Sequence, residues 1–78
     1  MATYFIHSSL GAQTIEDPEG LDFDGLEDAR QYAIGAGRHI VAEEIIEGAT
    51  SVDLQLYIEN EGGERLATVS FAVRVGHP

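Results

Sequence analysis

The chain contains no cysteine, no lysine and no tryptophan. Without cysteine it can form neither disulfides nor thiolate metal sites. Without lysine, all of its basic charge rests on Arg30, Arg38, Arg65 and Arg74, against 14 acidic residues, for a net charge of −10. So negative a surface repels phosphate backbones and anionic bilayers, so direct binding to nucleic acid or membrane is not expected. No run approaches the ~18 consecutive apolar residues of a membrane span. The opening Met1-Ala2-Thr3-Tyr4-Phe5-Ile6-His7 lacks the basic region of a signal peptide. These absences predict a soluble, cytoplasmic protein.

What is present is a globular composition, 44% apolar over 78 residues. That length makes one domain, residues 1–78, and a domain so short buries only about 60% of its unfolded surface. Small domains compensate with disulfides, metals or a partner subunit. With disulfides excluded, oligomerisation is the compensation to consider.

Thr3–His7 is β-branched and aromatic, as strands prefer. Ser8-Ser9-Leu10-Gly11 reads as a turn, and Ala12–Asp17 as a weaker returning strand. Asp17-Pro18-Glu19-Gly20 is a second turn, with Pro fixing φ at its second position. Leu21 and Phe23 alternate with Asp22 and Asp24 in a short extended lead into a helix. Asp24 is the expected N-cap, with Glu27 at capping-box spacing and Asp28 beside the positive helix end.

The helix is predicted over residues 25–47, with Gly48 as its stop. Leu26, Ala29, Ala33, Ala36 or Gly37, and Ile40 trace one line along it. Gly35 and Gly37 each cost about 1 kcal/mol of helix propensity, so the helix backbone is expected to lie close against a sheet there. Ser51–Glu59 alternates cleanly, with Val52, Leu54, Leu56 and Ile58 on one side. Asn60–Glu64 is a glycine-containing hairpin loop. In Arg65–Val75, residues Ala67, Val69, Phe71, Val73 and Val75 share a face. The order is ββαββ: an α+β fold with a four-stranded antiparallel sheet and one helix packed on one face.

The buried face then takes either Phe5 or the Tyr4/Ile6 pair from the first strand. The open face shows the other set, together with Tyr57 and Leu66. Large side chains on an open face suggest a partner, most commonly a second copy. A homo-oligomer associating through Tyr4, Ile6, Tyr57 and Leu66 is therefore expected.

Glu16, Asp17, Glu19, Asp22, Asp24, Glu27 and Asp28 form an acidic stretch without a base. It suits a basic protein partner, with carboxylates standing in for phosphates. Other candidates read more simply. His7 has the neutral-range chemistry of a general base but no identifiable nucleophile beside it. His39 and Glu43 share a helix face at metal-ligand spacing without further ligands, so they read as solvated. Asp22-Phe23-Asp24-Gly25 is only a fragment of a calcium loop. Gly35-Ala36-Gly37-Arg38 lies within a helix and is no phosphate cradle. His77 reads as a mobile terminal residue. No catalytic residue, metal or cofactor is expected, and the protein is read as a non-enzymatic, self-associating interaction module; the alternatives are a purely structural homo-oligomer and, after it, a small hydrolase-type enzyme using His7.

The combination of Tyr4-Phe5-Ile6-His7, Asp17-Pro18-Glu19-Gly20 and Leu26-Glu27-Asp28-Ala29-Arg30 resembles a family of short bacterial proteins, frequent in alphaproteobacteria and known only as a domain of unknown function. That resemblance spans nearly the whole chain and implies no activity. The order of acidic turn, short polar strand and alanine-rich helix is more distantly similar to HicB-type antitoxins. This second similarity implies an acidic module that masks a basic toxin.

Overall fold

In a computed structural model describing residues 1–76, the chain runs β1 (Ala2–Leu10), β2 (Gln13–Ile15), β3 (Leu21–Phe23), α1 (Leu26–Ile46), β4 (Ser51–Glu59) and β5 (Arg65–Arg74). His77 lies outside the described residues. The α+β class and the single helix match the sequence reading, but the antiparallel sheet has five strands rather than four. The additional strand is Leu21–Phe23, expected only as an extended lead. It pairs with the start of β1, Ala2 opposite Phe23 and Tyr4 opposite Leu21.

β1 is also longer than expected. Ser8 and Ser9 are ladder residues and not a turn, because β4 reaches far enough to pair with them (Ser8 opposite Leu56, Ser9 opposite Gln55). The chain reverses instead at Gly11, whose φ of +59° suits glycine. One edge of β1 therefore meets β4. The other is shared end to end by β3 and β2, which leaves a gap between them opposite Phe5–His7. β5 pairs with β4 along its length, with a register shift at Ile58/Glu59 that leaves Leu66 between Arg65 and Ala67 without an opposite residue.

The core lies between β4 and the helix. Val52, Leu54, Leu56 and Ile58 are buried, as their alternation predicts, and Ala29, Ala33 and Gly37 are the buried helix positions. Close approach holds at Gly37, where a Cβ would overlap the Phe71 ring and come within 2.8 Å of Leu56 Cδ1. It does not hold at Gly35, which is exposed with open space around it.

The helix begins one residue later than predicted. Gly25 is the N-cap, no side chain caps the end, and Asp24 is exposed. Asp24 follows directly on β3, whose last residue, Phe23, is anchored by its ring between Tyr4 and Tyr32. Glu27 consequently forms no capping box and bonds to Arg30 and Gln31. The C-terminus ends as expected. Gly48 N–H donates to Ile45 O and Ala49 N–H to Glu44 O, the two bonds of a Schellman motif, with Gly48 at φ +107°.

Candidate interaction site

The gap along β1 is closed by the turn Asp17–Gly20. The Asp17 carboxylate accepts hydrogen bonds from Glu19 and Gly20 N–H (3.2 and 3.1 Å), which fold the turn. It also accepts from Ile6 N–H (3.3 Å), in the stretch of β1 that neither β2 nor β3 reaches. A side chain thus does the work of a missing strand residue. Gly20, at φ +74°, lets the turn press on β1; a Cβ there would come within 3.0 Å of Tyr4 O. Partial burial of the Asp17 carboxyl works against its charge. The hydrogen bonds from Gly20, Ile6 and Glu19, with His7 nearby, outweigh that and hold it below its ordinary value.

His7 is tied into the same turn. Asp17 N–H donates to its Nδ1 at 3.0 Å, and its Nε2 lies 3.3 Å from Glu59 Oε1. With Nδ1 accepting, the ring proton sits on Nε2 and is directed at Glu59. Both ring nitrogens are engaged, on the open face of the sheet. Ser8, one residue on, faces the other way and lines the helix side.

Most of the open face is polar. Beside His7 it carries Ser9, Asp53, Gln55, Tyr57, Thr68, Ser70 and Arg74, with Phe5 and Ala72 as its apolar members, placed there by strand alternation. Tyr57 donates to Gln55 Oε1 and lies beneath the Arg65 guanidinium, 3.9 Å from its ring centroid. Tyr4 and Ile6 do not belong to this face, contrary to the expected association surface. They pack against the core on the helix side, because Ile6 stands opposite Ile58. Leu66 is exposed at 37%. Tyr57 and Leu66 remain of the expected patch, and Phe5, the other set that β1 offered, stands on the open face opposite Glu59.

On the helix side the packing is lopsided. The helix lies over β4 and β5 and leaves a cleft of about 510 Å³ toward β1. Ile6, Ser8 and Leu56 form its floor, Tyr32, Ala36 and Ile40 its helix wall, and Asp17–Leu21 the opposite wall. Tyr32 is half-exposed and Leu21 is exposed at 44%. The cleft is thus mainly apolar below and acidic at its lip, with Glu19 on the turn and no arginine among the lining residues. Asp28 precedes Tyr32 and Glu44 follows Ile40 by one helical turn, extending the same line of the helix.

The acidic stretch divides by role. Asp17 builds the turn, Asp22 accepts from Thr3 Oγ1 at 2.6 Å, and Glu27 bonds to its helix neighbours. Among the described residues, Glu16, Glu19, Asp24 and Asp28 make no side-chain hydrogen bond or ion pair, and their carboxylates are turned to solvent. Sequence reasoning did not find Glu59, Ser8 or Leu21 as site residues, nor the role of Tyr32. The spacing of Tyr32, Ala36 and Ile40 at i, i+4 and i+8 was the available signal.

His39 and Glu43 form an exposed pair at 3.2 Å. Among the described residues, no group of three or more His, Asp or Glu gathers in a metal-binding arrangement, and no helix is long and apolar enough to cross a membrane. Neither a curated protein nor a solved structure matches the chain. The model of one family, a domain of unknown function designated DUF6894, matches residues 3–72. An opening aromatic strand, a clamped acidic turn and a small-residue helix over a β-hairpin are thus how this chain, a member of the DUF6894 family, is built.

Proposed function

We infer that the chain is a non-enzymatic interaction module that takes a cationic, partly apolar segment of a partner protein into the cleft between α1 and β1. One observation carries this reading. The cleft joins an apolar floor to an acidic lip, and none of the chain's arginines lines it. A segment alternating arginine with leucine or valine would bury its apolar side chains on Ile6, Leu21 and Tyr32. Its guanidinium groups would meet Glu19 and Asp28. Charge complementarity of this kind mainly accelerates and orients encounter, while the apolar contacts hold the complex.

A basic nucleic-acid-binding protein, including a toxin of the kind the HicB-like order of elements implies, has the required charge. Carboxylates would then occupy a surface otherwise used by phosphates. The non-enzymatic reading is supported by His7, whose two ring nitrogens are both occupied and whose side chain lies on the face away from the cleft.

The test is titration calorimetry with a synthetic amphipathic arginine/leucine peptide. Binding is expected to weaken several-fold between low and physiological ionic strength as the Debye length shrinks to about 8 Å. It is also expected to weaken in a Glu19→Gln/Asp28→Asn variant and in Tyr32→Ser. Binding that ignores both salt and these substitutions overturns the reading.

A further inference from the structure

The sheet ends on one side in a long bare edge. β5 pairs with β4 over its length, and among the described residues nothing pairs with its outer side. The opposite margin is managed quite differently, by two three-residue strands with the Asp17 turn between them. Exposed edges are ordinarily blunted by proline, lysine, inward-pointing charge or brevity. β5 has no proline or lysine and carries charge only at its two ends: it spans ten residues, Arg-Leu-Ala-Thr-Val-Ser-Phe-Ala-Val-Arg. Its one irregularity lies at its start.

Further observations bear on what covers this edge. The inward row of β5, Ala67, Val69, Phe71 and Val73, is only partly buried, whereas the matching row of β4 is buried throughout. The molecule exposes 5169 Å², against about 4,600 Å² typical of a folded monomer of its 8.4 kDa. Its radius of gyration is 13.5 Å, against about 11.5 Å for a compact domain of this length. β5 also contains two arginines and no acid. For a chain of net charge −10, it is the long surface strand on which two copies can approach with least repulsion.

We propose that β5 pairs antiparallel with β5 of a second copy about a two-fold axis, making one continuous sheet with both helices on the same side. Directly opposed residues must then share a face, so from Ala67 to Arg74, past the irregularity at Leu66, their numbers differ by an even amount. A two-fold at Val69 satisfies this, with Ala67 opposite Phe71 and Thr68 opposite Ser70. The proposal is independent of the cleft.

Sedimentation velocity over a concentration series reaching about 1 mM chain tests it. Wild type is expected to run as a dimer. Thr68 and Ser70 are exposed on the open face opposite the neutral Tyr57 and Gln55, so substitutions there spare the fold. Thr68→Glu/Ser70→Glu opposes like charges twice per dimer and should raise the dissociation constant by about tenfold or more. Thr68→Glu/Ser70→Lys opposes unlike charges and should keep the dimer. Far-UV circular dichroism confirms that each variant is folded. A monomeric wild type at the highest concentration overturns the proposal. So does a dimer that both double variants leave equally intact.

Discussion

Two glycines two residues apart in α1 have opposite meanings. A Cβ at Gly37 would run into Phe71 and Leu56, whereas at Gly35 it would meet nothing. Gly35→Ala should therefore stabilise the fold by about 0.5–1 kcal/mol, the gain in helix propensity. Gly37→Ala should destabilise it, since overpacking costs about 1–3 kcal/mol and the propensity gain recovers only part of that. Urea denaturation of the two variants should give midpoints on opposite sides of wild type.

Asp17 makes a prediction in pH. Its carboxyl is held below the ordinary value of 3.8, so its ionised form is favoured by the fold. The stability it contributes is fully present above that ordinary value and is lost as pH falls through the lower folded value. In Asp17→Asn the corresponding loss is absent, because the amide does not titrate. The stability gap between wild type and Asp17→Asn, of about 1 kcal/mol for hydrogen bonds partly open to solvent, should hold at neutral pH and close in acid. Equilibrium unfolding at a series of pH values reads it directly; a gap that does not narrow as the pH falls below 3.8 contradicts the clamp.

At the scale of elements, the helix start yields a further expectation. Gly25 has extended backbone at φ −170°, and open space lies around its Cα. Gly25→Ser should supply the missing cap and raise stability by a few tenths of a kcal/mol. Asp24→Ala should change it by less than about 0.5 kcal/mol, the ordinary range for surface positions. A cost of about 1 kcal/mol or more for Asp24→Ala, measured by thermal unfolding, would mean that Asp24 caps the helix after all.

The elements differed in how much of them the sequence made legible. β4 could be read from alternation alone because both its neighbours and the helix bury one row of it. Gly48 could be read because its positive φ and the helix end coincide. β1 could not be oriented, since its odd and even residues both include an aromatic. Only the distant pairing of Ile6 with Ile58 decides between them. β3 was missed as a strand for a related reason. Three residues carry little periodicity, and their partners lie some twenty positions back along the chain.

At the scale of the whole molecule, charge was legible in amount but not in purpose. The sequence displays the acids from Glu16 to Asp28 as one block. The fold spends Asp17, Asp22 and Glu27 on internal bonds and turns Glu16, Glu19, Asp24 and Asp28 outward. The cleft itself depends on how far the helix stops short of β1, a tertiary distance that no local pattern encodes. Cleft and outer edge lie on opposite sides of the helix axis, so their tests separate cleanly. Peptide binding should follow Glu19 and Tyr32, and self-association should follow Thr68 and Ser70.

The meeting of Gly37 with Phe71 has a mechanical consequence. The aromatic ring sits in a notch just one residue wide; a shift of the rod along its axis would bring Ala33 or Val41, one turn away, towards it, and a roll would bring Ala36 or Arg38. Sliding and rolling are thereby both resisted. The ring thus acts as a dowel that fixes the rod on the outermost strand, and a guest entering beside β1 would meet a wall already set in place.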